Sequence, residues 1–414
     1  MKGFFSSQEL YKHARKQRQS TVAKCGECKL YKSCMSPKMD VGGNGKQKIL
    51  LVAEGPGGIE DKRNDQLVGN VGSYLNRKTK RKFDIDIHED CWKINSVNCR
   101  PPNNRTPTNK EINACRPKVM KAIQDYQPHI IIPLGTPAIH SLLGDRWKKD
   151  LGSITKWRGW TIPDKDLKAW VCPTFHPSYV NRETTPEVAE LIFEQDLERA
   201  FNLINAPLPD FVYESEEDKI EIIRRKDDIE TYLQKLLLQG PPVTAFDYET
   251  TGLKPDKDVH EILTCSISEG PNHAVAFPMV EGIMPTFKDY LRSNYIWKIA
   301  ANMGYEINWS REMLDCEVNN LLMDCCLGAH IEDNRRKITS VKFQTYVRYG
   351  VCDYDSHLDE YKKSKTGYDR NRFKELPLRD ILTYNGLDSM FEYRIGMELC
   401  HSLGIEVPED QAPV

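Results

Sequence analysis

Two carboxylates, Asp247 and Glu249, lie two residues apart in Pro242-Val-Thr-Ala-Phe-Asp-Tyr-Glu-Thr-Thr-Gly252. The run Val243 to Phe246 favours a strand, and alternate strand residues share a face, so the pair projects together. Like charges that close raise each other's pKa unless a cation sits between them. A strand-borne metal site is one reading; an edge strand with polar decoration is the other. Far downstream, Tyr384-Asn-Gly-Leu-Asp388 puts a phenol and a carboxylate four apart, on one face of a helix. A third group is made of thiols: Cys25-Gly-Glu-Cys28, then Cys99 in Asn95-Ser-Val-Asn-Cys-Arg-Pro-Pro102, then Cys115 in Glu111-Ile-Asn-Ala-Cys115. Four thiolates can hold zinc or an iron–sulfur cluster, and spacing does not separate the two. Cys34 and Cys91 are further candidates.

These residues need elements to hold them. A chain of 414 residues, 39% hydrophobic and 29% charged, is ordinary for a soluble protein of two domains. It has no apolar run of transmembrane length and no signal-like start, which predicts a cytoplasmic protein, in the host cytoplasm if viral. Thirteen cysteines then read as thiols and metal ligands, not disulfides. The net charge of −2 conceals an asymmetry: residues 1–205 carry +11 and residues 206–414 carry −13. A basic half favours a polyanion such as nucleic acid.

From Lys48 the pattern alternates strand and helix, with strands expected at Ile49 to Ala53, Trp92 to Val97, His129 to Leu134 and Ala169 to Phe175, and a helix at Lys110 to Tyr126. This predicts an α/β domain with a mainly parallel sheet, whose ligands gather beyond the carboxyl ends of the strands. Three motifs fall there: Ala53-Glu-Gly-Pro-Gly57, Asn95 to Arg105, and His176-Pro-Ser178. A basic helix is expected over Gln8 to Arg18. The Pro-rich, then acidic, stretch after Ala206 predicts domains over residues 1–205 and 219–414 with a linker at 206–218. In the second domain, strands are expected at Ile220 to Ile223, from Val243 through the carboxylate pair, Ile262 to Ser266, Ala274 to Pro278 and Trp297 to Asn302. Helices are expected at Asp227 to Leu238, Asn319 to His330 and Leu376 to Leu399.

The motifs of the first half, in this order, resemble family 4 uracil-DNA glycosylases, the iron–sulfur branch of that superfamily. The resemblance covers residues about 20–205 and implies a three-layer fold with a parallel sheet. It implies that Cys25, Cys28, Cys99 and Cys115 ligate a [4Fe–4S] cluster. Asn95 matches the residue that reads uracil by its edge, His176 the donor that stabilises charge developing on the base, Glu54 the acid that handles water or the cationic sugar, and Glu60 a second carboxylate. Gly55 and Gly57 would let backbone approach the nucleotide. Two positions depart from the family. Ala53 replaces a motif glycine. The family's Gly-Arg-Pro-Phe-Val-Gly reads Asn64-Asp-Gln-Leu-Val-Gly69, so Leu67 replaces the aromatic that stacks on the base, an interaction worth roughly 1–3 kcal/mol.

Residues about 218–400 resemble the 3′–5′ proofreading exonuclease of the DEDD superfamily, tyrosine subtype, as fused to family A DNA polymerases of phage type. The implied fold is ribonuclease H-like with a mixed sheet. Asp247-Tyr-Glu249-Thr250 and Tyr384…Asp388 complete two of its motifs. The third is altered: His-Asn-x-x-Phe-Asp becomes Ala301-Asn-Met-Gly-Tyr-Glu306, with Asn302 kept beside the substrate and Glu306 as a lengthened acid. Asp324 and Val341-Lys-Phe-Gln-Thr-Tyr346 also resemble segments of phage-type members. The resemblance implies hydrolysis by two Mg²⁺ or Mn²⁺ ions, with Asp247, Glu249 and Asp388 on the first, Asp247 and Glu306 on the second, and Tyr384 orienting water. It implies DNA as partner, with single-stranded 3′ ends and uracil-containing duplex as substrates, and a polymerase domain or subunit nearby. The alternative is an accessory module that grips DNA or a partner without chemistry.

Overall fold

The computed structural model describes residues 23–182, 184, 186–255, 260–364 and 369–408. The helix expected over Gln8 to Arg18 lies outside them. The chain divides into two compact units, Met1–Val212 with Val347–Cys352, and Tyr213–Tyr346 with Asp353–Val414. No described helix is long and apolar enough to cross a membrane.

Among the described residues, the first unit has a five-stranded sheet in the order β2–β1–β3–β5–β4. Its strands are β1 (Ile49–Ala53), β2 (Cys91–Asn95), β3 (Ile130–Pro133), β4 (Ile162–Asp164) and β5 (Ala169–Val171). All neighbours run parallel except β4 and β5. Every residue of β1 and β3 is buried, as continuous apolar strands in a doubly covered parallel sheet must be. The strand expected over Ala169 to Phe175 is regular only as far as Val171, although the Cys172 and Thr174 N–H groups still donate to Ile131 and Pro133 beyond it. The sequence reading omits β4, a three-residue edge strand with Pro163 at its centre, a residue that edge positions tolerate.

Its helices include α1 (Cys25–Cys28), α2 (Gly58–Arg63), α3 (Asn70–Phe83), α4 (Asn109–Tyr126), α5 (Thr136–Leu143), α6 (Pro177–Val180) and α7 (Glu187–Phe201). A capping box of Thr108 and Glu111 starts α4 and so fixes the depth at which Cys115 enters.

The second unit carries a six-stranded mixed sheet, among the described residues, in the order β11–β10–β7–β8–β9–β6. The strands are β6 (Ile220–Ile222), β7 (Val243–Thr250), β8 (Ile262–Gly270), β9 (His273–Pro278), β10 (Trp297–Ala300) and β11 (Leu321–Asp324). Central β7 is antiparallel to β8 and parallel to β10. Its helices include α8 (Lys226–Gln239), α9 (Met284–Arg292), α10 (Gly304–Leu314), α11 (Cys325–Glu332), α12 (Val341–Tyr349) and α13 (Leu378–Leu403). One face of β7 sends Phe246 and Tyr248 into a core with Phe277, Phe287 and Trp309. The other face is left for Asp247 and Glu249.

One expected helix is wrong. Asn319 to His330 is not one helix: Leu321–Asp324 is a strand paired with β10, and helix begins only at Cys325. Asp324 has extended backbone and its carboxylate caps the next turn, so it ends one element and starts another. Likewise β10 stops at Ala300, before Asn302 turns into the left-handed region at φ 54°.

Candidate functional site

The thiols come together first. Cys25, Cys28, Cys99 and Cys115 line one cavity with Leu30, Tyr31 and Lys118. Burial pushes Cys28 and Cys115 up, and Cys99 up to about 12, which a thiolate-binding cation would reverse. Cys99 Sγ accepts the Lys38 N–H at 3.1 Å, and Asn98 Nδ2 donates to Cys115 Sγ at 3.7 Å, as outer hydrogen bonds to metal-bound sulfur do. Among the described residues, no three of these sulfurs lie within 4.8 Å of one another. The all-thiol donor set fits a zinc ion or an iron–sulfur cluster. Cys91 is fully buried on β2 and belongs to the core, and Cys34 lies outside the lining of the cavity.

The loops beyond β1, β2 and β5 enclose a second cavity of about 690 Å³. Glu54, Gly55, Gly57, Glu60, Leu67, Asn95 and His176 all line it, so the structure gathers every residue expected around a flipped base. Asn95 donates through Nδ2 to Gln66 Oε1, while its Oδ1 is buried without a partner. His176 caps α6: its Nδ1 accepts the Ser178 N–H at 3.2 Å. That bond fixes the tautomer, so the proton sits on Nε2 and can be donated. Burial, then Arg182, push the imidazole down to about 4, so it is neutral near pH 7.

Two expectations change in kind. Glu60 accepts the Gly69 N–H at 2.7 Å, which ties α2 to the start of α3. Gly57 and Gly69 are small for the same reason, since a Cβ would lie 2.8 Å and 2.7 Å from the Glu60 carboxylate. Leu67 is only 6% exposed and sits at φ 51°, a strained position for a branched side chain.

In the second unit Asp247, Glu249 and Asp388 offer oxygens within 4.8 Å of one another. β7 supplies two of them and α13 the third. Burial, then Asp388, push Asp247 up to about 8, against the pull of Lys342 and of the 2.7 Å bond from Asn385 Nδ2. Glu249 is raised well above the carboxylate range by burial and then by Asp247. Glu306 is 2% exposed, raised by burial and Asp247, and its Oε2 has no partner. An all-carboxylate set with an unpartnered acid beside it fits hard divalent cations such as Mg²⁺ or Mn²⁺.

The other expected members fall on either side. Tyr384 is close: its OH accepts from Lys342 at 3.1 Å and from Lys362 at 3.0 Å. Asn302 is exposed, and its N–H donates to Asp324. Asp324 also accepts from the Met303, Cys326 and Leu327 N–H groups, so its carboxylate is committed to capping.

Sequence reasoning missed three groups. Lys342 donates to Asp388 and, at 2.9 Å, to Tyr354 OH, and Tyr354 OH donates to Asp388 at 2.6 Å. Glu392 is 2% exposed, its Oε2 is unpartnered, and burial followed by Asp247, Glu306 and Asp388 raises it. The signal for Glu392 was present, because it lies four residues past Asp388 on the same helical face. Lys342 stood inside a run already singled out. Nothing in the spacing marked Tyr354.

Residues 39–199 match the uracil-DNA glycosylase superfamily. The type-4 uracil-DNA glycosylase of Thermotoga maritima is 40% identical over 184 residues, which are 44% of this chain and 91% of that protein. A DNA polymerase of Bacillus phage SP01 is 23% identical over 389 residues, 85% of this chain and 40% of the polymerase. The chain therefore spans less than half of that relative's length. Among solved structures, Escherichia coli RNase D, an exoribonuclease involved in structured RNA processing, aligns at 15% identity over 45% of each chain with a TM-score of 0.34, too low to weigh further.

Proposed function

The chain belongs to the type-4 uracil-DNA glycosylase family through its first half, and on that premise we propose a DNA-processing enzyme in which a uracil-excising domain (residues 1–205) is joined by a linker (206–218) to a metal-dependent 3′–5′ exonuclease (219–414) that serves a phage-type DNA polymerase. The observation that carries the exonuclease is the convergence of Asp247, Glu249 and Asp388 on a strand and a helix, with Tyr384 one turn before Asp388.

In the first domain, Asn95 holds the base edge, and the Nε2–H of His176 faces the oxygen on which charge develops as the glycosidic bond breaks. Glu54 steadies the cationic sugar or its attacking water. Cys25, Cys28, Cys99 and Cys115 would hold a [4Fe–4S] cluster, which would brace the loop that follows Asn95 at the end of β2. In the second domain, bound Mg²⁺ or Mn²⁺ would supply an activated water and charge neutralisation at the leaving 3′ oxygen. Asp247, Glu249 and Asp388 would hold one ion, and Glu306 beside Asp247 would help hold a second. Asn385 fixes the Asp247 rotamer, and Lys342 and Lys362 hold the phenol of Tyr384 against the water it orients.

With Mg²⁺, a single-stranded oligonucleotide should shorten from its 3′ end, and Asp247→Ala should stop it. A uracil-containing duplex treated with alkali should break at the uracil. Absorbance near 400 nm in brown protein separates a cluster from zinc. Leu67, in place of a stacking aromatic, favours the second reading, a DNA-binding module without excision. An uncut uracil duplex, with cluster intact and 3′ trimming normal, would establish that reading for the first domain alone.

A further inference from the structure

We propose that Gln66 positions the base-reading amide: it holds Asn95 with the side-chain carbonyl turned to the base, so that the pocket selects pyrimidines bearing an N–H at ring position 3 over cytosine. This rests on the uracil-excision reading above. Gln66 stands where the family motif quoted for this loop has proline, a residue with no amide to offer.

The argument is one of hydrogen-bond polarity. Gln66 is wholly buried. One end of its amide meets the backbone carbonyl of Asp40 at 3.0 Å and Asn98 Oδ1 at 3.0 Å. A backbone carbonyl only accepts, so that end is the NH₂. The opposite end is therefore Oε1, and it takes a hydrogen from Asn95 Nδ2. Asn98 is set independently. Its Nδ2 donates to the Asn95 backbone carbonyl at 2.9 Å, and its Oδ1 accepts the Asn95 backbone N–H at 3.3 Å. Two backbone carbonyls thus dictate the orientation of three side-chain amides in a row.

Asn95 is left with an unpartnered, buried Oδ1 and one unused Nδ2 hydrogen. A uracil edge answers both, giving N3–H to Oδ1 and O4 to the spare N–H. Cytosine presents an unprotonated N3, lone pair against lone pair. An amide free to turn could instead meet cytosine N3 with Nδ2 and its exocyclic amine with Oδ1. Gln66 prevents that turn.

The test measures binding, so it does not depend on turnover. Full-length protein in chelator is titrated by fluorescence anisotropy with two oligonucleotides that resist excision, one carrying 2′-fluoro-2′-deoxyuridine and one 2′-fluoro-2′-deoxycytidine. The wild type should prefer the first. Gln66→Met, similar in shape but without an amide, should reduce that preference about tenfold. Gln66→Glu should stay within twofold of wild type, because a buried, protonated acid gives its carbonyl to Asn95 and its O–H to Asp40. Unchanged preference in Gln66→Met overturns the proposal and leaves the uracil reading standing. A wild type that binds both alike overturns the two together. If Gln66→Met lacks a cooperative melt, Gln66→Glu decides: preference lost there also overturns it.

Discussion

His176 donates only through Nε2, and its neutral form has a pH signature. Its folded pKa of about 4 lies below the ordinary value of about 6.5. A depressed pKa contributes stability that is present above the unfolded value and lost as pH falls through the folded one. Melting temperature should therefore decline from pH 6.5 toward pH 4, and His176→Asn should decline less over that window. The same substitution should lower uracil excision about 100-fold at pH 7, the usual loss for one donor to a developing anion. If excision survives, the developing charge is met elsewhere. In the second unit, Lys342 places an ammonium on Asp388. Removing that charge removes its repulsion of a cation at the carboxylates and frees the Asp388 oxygen it occupies, so Lys342→Met should bind Mn²⁺ several-fold more tightly in an electron paramagnetic resonance titration. Unchanged or weaker binding would show that the lysine does not compete with the cation.

Among elements, the junction of β11 and α11 separates a structural carboxylate from the metal-facing ones. Asp324 accepts backbone N–H groups at the starts of both α10 and α11. Losing one cap costs about 1 kcal/mol, so Asp324→Ala should destabilise the fold by about 2 kcal/mol in urea unfolding. The Mn²⁺ titration should not change; a weakened one would make Asp324 part of the metal site. Periodicity made much of this legible. Alternation on β7 and four-residue spacing on α13 correctly turned Asp247, Glu249, Tyr384 and Asp388 inward, because one strand and one helix each impose a fixed period. What failed depended on partners far away in sequence. Asp324 falls within an expected helix because strand β11 forms only by pairing with distant β10, which leaves Asp324 to cap α11. Gln66 was invisible because its meaning is the orientation of an amide set by Asp40 and Asn98. Tyr354 and Lys362 approach the phenol of Tyr384 from a loop and a single-turn helix, both too short to show a periodic pattern.

For the molecule as a whole, the charge divides into +11 and −13, which on the proposed reading gives DNA attraction to the first half and metal-dependent trimming to the second. Part of the negative charge is latent, since burial and Asp388 push Asp247 up to about 8 and a bound cation would displace its proton. If the basic half supplies the attraction, chelator should abolish 3′ trimming yet leave single-stranded DNA binding within about threefold of its value in Mg²⁺ at equal ionic strength. Log affinity should then fall linearly with log salt. At about 0.7 per phosphate for single strands, a slope of about −2 or steeper corresponds to at least three contacts. Asp247→Ala should show the same slope, because the lost carboxylate lies in the half that does not attract DNA. Binding that vanishes with the metal would instead assign the grip to the carboxylate site, and the surplus of lysine and arginine upstream would be a solvated face with no part in holding DNA.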